Sequence, residues 1–214
     1  NLPKVDDPLE NGVIQLTSAW RAYFDEAALR RMKIALKQYF AAIIMEKRSK
    51  RRATCVLEYE YDIFRYYTIG GAIFFEVTLS LADVKIPCHF ESSQCFALLH
   101  ESMVKIFILL NDVCSFENDI KENNKVNYIC IIKEAKGYET WQEAIDEVVC
   151  KINDEFKTFQ MAEKLAATEA INHEETEAAA RAIDLLKREI FTFFLYMTTS
   201  KRYNYKRKFI IEWN

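Results

Sequence analysis

The stretch Met103-Val-Lys-Ile-Phe-Ile-Leu-Leu-Asn-Asp-Val-Cys-Ser-Phe-Glu-Asn-Asp119 joins an apolar run to a series of polar side chains. Because neither Gly nor Pro interrupts it, the run up to Leu110 predicts a buried helix. If the helix continues, Asn111, Ser115 and Asp119 stand at i, i+4 and i+8, which differ in direction by only about 80° over about 12 Å. The three side chains therefore share one helix face.

All three of these side chains end in hard oxygen donors. Such donors suit Mg²⁺, which prefers octahedral oxygen coordination and often leaves part of its shell to water and substrate phosphates. The spacing alone fits two interpretations. One is a site for a metal ion and a diphosphate, and the other is a polar stripe on a solvated helix face, which is the commoner meaning of an Asn, a Ser and an Asp on one helix.

The same segment resembles the N-D-x-x-S-x-x-x-E signature of class I terpene synthases, which also occurs with Asp at either end. Asn111, Ser115 and Asp119 stand at the three ligand positions, and Asp112 matches the second residue. The resemblance implies that the triad binds Mg²⁺ in a site that holds three ions in the family, with Mn²⁺ as a possible substitute.

Two positions depart from that signature. Asp119 replaces the usual Glu, and because Mg²⁺ tolerates little error in ligand distance, the shorter carboxylate is expected to weaken binding unless the helix moves closer. Asn118 replaces a Lys that often precedes this ligand and contacts diphosphate. Lys121 is a candidate for that contact from the next turn.

An upstream element lies 46 residues before Asn111, at Arg65 in the segment Phe-Arg-Tyr-Tyr-Thr-Ile-Gly-Gly. It resembles the family's diphosphate-sensing element, and its glycine pair predicts a helix kink, since each Gly costs about 1 kcal/mol in a helix relative to Ala. The resemblance implies that Arg65 senses the diphosphate, that Thr68 is the linker residue of this element, and that the backbone near Ile69 or Gly70 faces the reacting carbon. A surface Arg beside a loop glycine pair is the alternative.

A downstream element, Lys201-Arg-Tyr203, resembles the Arg-Tyr pair near the C-terminus of microbial terpene synthases. Arg202 lies 91 residues after Asn111. Its guanidinium offers a planar fork for bidentate phosphate contact, and Tyr203 adds a hydroxyl donor. The resemblance implies that both bind substrate.

The family also uses an aspartate-rich motif on an earlier helix. Asp6-Asp-Pro-Leu-Glu10 fits D-D-x-x-E, but it lies only 105 residues before Asn111, and Pro8 disfavours a helix interior. We therefore expect Asp6 and Asp7 to be loop residues and the motif to be absent, so that the chain corresponds to the C-terminal two thirds of a catalytic domain. The alternative, that Asp6-Asp7 is the motif, stays open.

Composition favours one all-α domain over residues 1–214, because half of the residues are hydrophobic and only 4 Gly and 3 Pro interrupt them. A net charge of −3 gives no basic face for nucleic acid. There is no apolar run long enough for a membrane span. The six cysteines lack C-x-x-C pairing, which favours buried reduced thiols and a cytoplasmic protein.

Apolar periodicity and capping signals predict the helices. They are expected at 19–46, at 57–80 with a bend at the glycine pair, from a cap at Ser92 or Ser93 through the polar triad, at 128–136, from a capping box at Thr140, and at 174–196. Residues 83–89 are predicted to be an interhelical loop. The basic cluster 47–52 is predicted to be a solvated helix terminus, and a surface that attracts an anionic substrate or a membrane is the alternative.

Together these features predict an isoprenoid-synthase-type α-helical bundle, and the resemblance implies Mg²⁺-dependent ionisation of a geranyl, farnesyl or geranylgeranyl diphosphate. The carbocation would then cyclise or lose a proton in an apolar cavity, where aromatic faces stabilise it; the candidates are Tyr67, Phe74, Phe75 and Phe107. A catalytically inactive helical interaction module is the alternative, and a chain-elongating prenyltransferase a weaker one. A homodimer is possible.

Overall fold

In the computed structural model, residues 7–52, 56–169 and 173–203 are described, and every regular element among them is helical. The all-α prediction is therefore confirmed. The elements are α1 (Pro8–Trp20), α2 (Glu26–Lys50), α3 (Glu58–Thr68), α4 (Gly71–Leu81), α5 (Cys88–Glu91), α6 (Gln94–Lys121), α7 (Tyr128–Lys136), α8 (Trp141–Glu169), α9 (His173–Thr199) and a short 3-10 helix (Lys201–Tyr203).

The central element is α6, which contains the apolar run and the polar triad. Ser93 caps it by accepting a hydrogen bond from the Phe96 amide at 3.1 Å. Leu99 and Ile106 are fully buried, and α8 and α9 pack along the helix. Burial of each such side chain stabilises the fold by about 1.5–3 kcal/mol. The bundle core therefore fixes the direction of the polar face further along the same helix.

The glycine pair divides the predicted bent helix into α3 and α4. Gly70 has φ of 78°, in the left-handed region that glycine adopts without steric cost. Gly71 is required for a different reason: a Cβ there would lie 2.9 Å from Cγ2 of buried Val104 on α6. One glycine thus allows the chain to turn, and the other allows α4 to approach α6 closely.

The predicted helix at 19–46 was wrong at both ends. The first helix ends at Trp20, and a new one begins after Asp25, whose Oδ1 accepts from the Ala28 amide at 2.8 Å. The second helix continues to Lys50, so part of the basic cluster lies in its last turn, where cations favour the helix dipole. Residues 83–89 were also not all loop, because the one-turn helix α5 begins at Cys88.

The later elements agree closely with expectation. Helix α7 has the predicted bounds and ends at Gly137, with φ of 67°. Thr140 and Glu143 form the predicted capping box before α8, with the Glu143 carboxylate accepting from the Thr140 amide at 2.8 Å. Nowhere in the described part of the chain is a helix both long and apolar enough to cross a membrane.

Candidate metal and diphosphate site

A polar cavity of about 270 Å³ lies where α3, the second half of α6 and the 3-10 helix meet. Six residues that the sequence singled out line it: Arg65, Asn111, Ser115, Asp119, Arg202 and Tyr203. Side chains separated by up to 138 positions in the chain are thus brought to one place. Their chemical roles stay predictions, but their placement agrees with a single site.

The predicted ligands on α6 are held by hydrogen bonds within the site. Ser115 Oγ donates to Asp119 Oδ2 at 2.6 Å. The Asp119 carboxylate also accepts from Asn124 Nδ2 at 2.8 Å and from Asn127 Nδ2 at 3.0 Å, both in or at the end of the loop between α6 and α7. The carboxylate is therefore fixed in direction by three donors.

Arg65 connects α3 to the start of the triad. Its Nη2 donates to Asn111 Oδ1 at 2.6 Å and to Asp112 Oδ1 at 2.9 Å. Asp112 is buried and also accepts from the Tyr61 hydroxyl and from the Tyr128 amide at 2.6 Å. Burial lowers the pKa of Arg65, but the charges and hydrogen bonds of Asp112 and Tyr61 together outweigh burial and raise the pKa, so the guanidinium stays charged.

Two buried polar atoms near the end of α3 have no hydrogen-bond partner among the described residues. They are Nε of Arg65 and Oγ1 of Thr68. Buried polar atoms in native proteins are nearly always hydrogen-bonded, so each of these atoms requires an explanation. Arg65 lines the polar cavity and Thr68 does not, so an anion bound in the cavity would account for Arg65 Nε only.

The 3-10 helix closes another side of the cavity. The Tyr203 hydroxyl accepts from Asn111 Nδ2 at 3.3 Å, and burial raises the pKa of Tyr203. The guanidinium of Arg202 lies 5.6 Å from the centre of the Tyr203 ring. Asn118 Nδ2 contacts the Arg202 carbonyl at 3.5 Å, so the residue that replaces the family's Lys helps to hold this element.

Four predicted positions in the described part of the chain lie outside this lining, and Thr68, the last residue of α3, is the first of them. Lys121 is exposed, and since it follows Asp119 by two residues it points about 200° around α6 from it. Gly70 lies at the break between α3 and α4. Asp7 precedes α1 and accepts from the Glu10 amide at 3.0 Å, while Asp6 lies outside the described residues.

Sequence analysis missed several residues of the site. Glu46 and Lys50 of α2 line the cavity and form an ion pair at 2.7 Å. Asn124 and Asn127 bind Asp119, and Tyr61 binds Asp112. An Asn before an apolar segment signals a helix cap, so Asn127 was detectable as a cap of α7, but no local pattern reveals its contact with α6.

The donor set fits Mg²⁺ on its chemistry. Asn111, Ser115 and Asp119 supply only hard oxygens, and the unpartnered Arg65 Nε suits a phosphate that would complete the shell. No group of three His, Cys, Asp or Glu side chains at metal-binding distances occurs in the described ranges. The site thus offers one carboxylate and two neutral ligands on one wall.

The chain belongs to a known family. Residues 1–158 match the family model described as terpene synthase family 2, C-terminal metal binding. The match includes Arg65 and the whole α6 triad and ends before Arg202.

Solved terpene synthases share the fold. Germacradien-4-ol synthase from Streptomyces citricolor has a TM-score of 0.78 and 18% identity, over 92% of this chain and 63% of that one. Linalool/nerolidol synthase from Streptomyces clavuligerus has a TM-score of 0.80 and 16% identity, over 92% of this chain and 69% of that one. The chain thus spans about two thirds of the length of these relatives. No curated protein matches it significantly.

Proposed function

We propose that the protein to which this chain belongs ionises a prenyl diphosphate with the help of Mg²⁺ and converts the carbocation to a terpene hydrocarbon or alcohol. The observation that carries the proposal is the meeting of Arg65, Arg202 and the Asn111, Ser115 and Asp119 triad in one cavity. Family membership supports it, because the matching model describes a metal-binding domain of terpene synthases.

The charges in the cavity support a requirement for metal. The charged side chains that line it are three cationic, Lys50, Arg65 and Arg202, and four acidic, Glu46, Asp112, Asp119 and Glu122. Lys50 is paired with Glu46, and Arg65 with Asp112. A diphosphate would therefore meet an excess of negative charge, and added cations would be needed to bind it.

The proposed reaction breaks the bond between the allylic carbon and the diphosphate oxygen, and the electron pair leaves with the diphosphate. Mg²⁺ would supply Lewis-acid stabilisation of this leaving group. Asn111, Ser115 and Asp119 would hold the metal, while Arg65 and Arg202 would donate hydrogen bonds to the developing negative charge. The allylic cation then loses a proton to form an alkene, or adds water and releases a proton to form an alcohol.

The four aromatic candidates differ in their surroundings. Phe75 is packed between Phe96 and His100, and Phe107 stacks on Phe193 with ring centres 4.3 Å apart. Phe74 is 58% exposed and is the side chain nearest to Gly70. None of the four, Tyr67 included, lines the polar cavity, so their contact with the hydrocarbon part of a substrate stays a prediction.

A non-catalytic helical module remains a second candidate. It is favoured by the single carboxylate, that of Asp119, which α6 contributes to the proposed metal. The resemblance would place the other half of the metal site on an aspartate-rich helix, and Asp7 does not line the cavity. The identity of the metal, a cytoplasmic location and a homodimer stay predictions.

The deciding experiment is incubation of the full-length protein with geranyl, farnesyl and geranylgeranyl diphosphates and Mg²⁺, followed by gas chromatography with mass detection. Terpene products that require Mg²⁺ and are lost in Asn111→Ala would support the enzyme. Absence of products from all three substrates, with a folded protein, would support the module.

A further inference from the structure

Asn127 makes contacts that exceed the needs of a helix cap. Its Oδ1 accepts from the Ile129 amide at 2.9 Å and so caps α7. Its Nδ2 donates to Asp119 Oδ2 at 3.0 Å and to the backbone carbonyl of Asp112 at 2.8 Å. A cap uses only the side-chain oxygen, so the amide nitrogen is available for a second task. The residue is fully buried, and both of its ends are fixed.

The contacts of Asp119 show what that task is. A carboxylate offers about four acceptor positions, and Ser115, Asn124 and Asn127 occupy three of them. The donors from the α6–α7 loop fill one position on Oδ1 and one on Oδ2. They restrict rotation of the side chain and leave an acceptor position on Oδ1 for another ligand.

We propose that Asn127 is a positioning residue that acts through Asp119, with Asn124 as its partner on the other oxygen. The inference rests on the proposed function, in which Asp119 is a metal ligand. It explains how this site uses Asp where related synthases have Glu: the loop fixes the shorter carboxylate in the direction that metal binding requires. The same Nδ2 donates to the backbone carbonyl of Asp112, and the carboxylate of Asp112 accepts from Arg65. Asn127 therefore connects the residue next to Asn111 with the carboxylate that would bind the metal.

The test is binding of Mn²⁺ to the full-length protein in the presence of inorganic diphosphate, measured by electron paramagnetic resonance. In Asn127→Ser the hydroxyl retains the cap of α7 but is too short to reach Asp119. Partners that orient metal ligands typically change metal affinity by 10- to 100-fold, so the Kd for Mn²⁺ should rise by about tenfold or more. The urea midpoint should fall somewhat, because the buried carbonyl of Asp112 loses its donor, while the protein stays folded under the conditions of the binding measurement. Asn153→Ser, at an exposed position on α8, is the matched control and should leave the Kd unchanged.

A second variant covers the case in which Asn127→Ser lowers stability. Asn124→Ala removes the donor to Oδ1 without changing the cap of α7, and it should raise the Kd in the same direction. The double variant Asn127→Ser with Asp119→Ala then shows whether Asn127 changes the Kd for Mn²⁺ through Asp119. If Asn127 acts through Asp119, the double variant should bind Mn²⁺ no more weakly than Asp119→Ala alone.

The outcomes separate this inference from the proposed function. If Asp119→Ala leaves Mn²⁺ binding unchanged, or the parent binds none, the metal site itself is wrong and the inference falls with it. If Asp119→Ala weakens binding but Asn127→Ser and Asn124→Ala do not, the proposed function stands and the positioning role is overturned. Additive effects of Asn127→Ser and Asp119→Ala would also overturn it.

Discussion

Arg65 Nη2 donates to Asn111 Oδ1 at 2.6 Å, which joins the last turn of α3 to the first predicted metal ligand on α6. The same nitrogen binds Asp112, so one guanidinium spans two adjacent residues of the triad segment. A metal ion at Asn111 would lie beside this cation unless an anion separated them. If the proposed function holds, this geometry would couple metal and diphosphate, so that binding of both together is favoured over binding of the metal alone.

Replacement of Arg65 tests how much its buried ion pair with Asp112 contributes to the stability of the folded protein. Arg65→Met would leave the buried carboxylate of Asp112 without its cation, and loss of one partner of a buried ion pair typically costs about 3–5 kcal/mol. Urea unfolding should show a loss of this size. Arg52→Met, which breaks the exposed pair with Glu60, is the control and should change stability little. An Arg65→Met protein as stable as the parent would contradict the buried pair.

The close approach of α4 to α6 at Gly71 predicts that a methyl group at this position lowers the stability of the protein. Gly71→Ala places Cβ 2.9 Å from Val104 in the core, and overpacking of this kind costs about 1–3 kcal/mol. Gly12→Ala, inside α1 with no atom within 4 Å of the new Cβ, should instead stabilise by up to about 1 kcal/mol. Thermal unfolding of both variants checks the pair, and equal shifts would show that α4 does not pack on α6 in this way.

Glu189 on α9 predicts a dependence of stability on pH. Burial raises its pKa to about 7, and an interaction with the side chain of Thr78 on α4 offsets only part of the effect of burial. Because the folded state binds this proton more tightly than the unfolded state, the residue lowers stability as pH rises from about 4.5 to about 7. Glu189→Gln should remove that loss.

The measurement for Glu189 is urea unfolding at pH 5 and pH 8. The variant should exceed the parent at pH 8 by up to about 3 kcal/mol, from about 1.36 kcal/mol per pKa unit, and by much less at pH 5. Glu177→Gln, exposed on the same helix, should show no such difference. A parent and Glu189→Gln that differ equally at both pH values would refute the raised pKa.

The length of the Asp119 side chain provides a test of the ligand position. Asp119→Glu moves the carboxylate by about one carbon-carbon bond and away from its fixed contacts with Asn124 and Asn127. We expect turnover of prenyl diphosphate to fall by less than about tenfold, or about 1.4 kcal/mol in barrier, because either acid is used at this position in the family. Full activity of Asp119→Ala would show that the carboxylate is not a ligand.

Much of the fold could be predicted from the sequence because its signals are local. The apolar run before Asn111, the glycine pair and the Thr140 capping box each depend on nearby residues, and the structure has all three. The helix predicted at 19–46 failed because apolar periodicity continued across a break that Asp25 creates. Cap residues fix such boundaries better than periodicity does.

The site was only partly visible in the sequence for a related reason. The residues that share spacing with known synthases were found, but those that support them were not. Glu46 and Lys50 come from α2, and Asn127 reaches Asp119 only because the loop after α6 turns back. These contacts arise from tertiary packing, which no local pattern encodes.

The most direct test of the central claim is the release of diphosphate from farnesyl, geranyl or geranylgeranyl diphosphate by the full-length protein, with and without Mg²⁺. Release that needs Mg²⁺ is predicted, together with a loss of about a hundredfold or more, or about 2.7 kcal/mol in barrier, in both Ser115→Ala and Asp119→Ala at nearly unchanged stability. Three results would contradict the account. They are release of diphosphate at the same rate without Mg²⁺, unchanged release in both Ser115→Ala and Asp119→Ala, and no release at all from the folded parent protein.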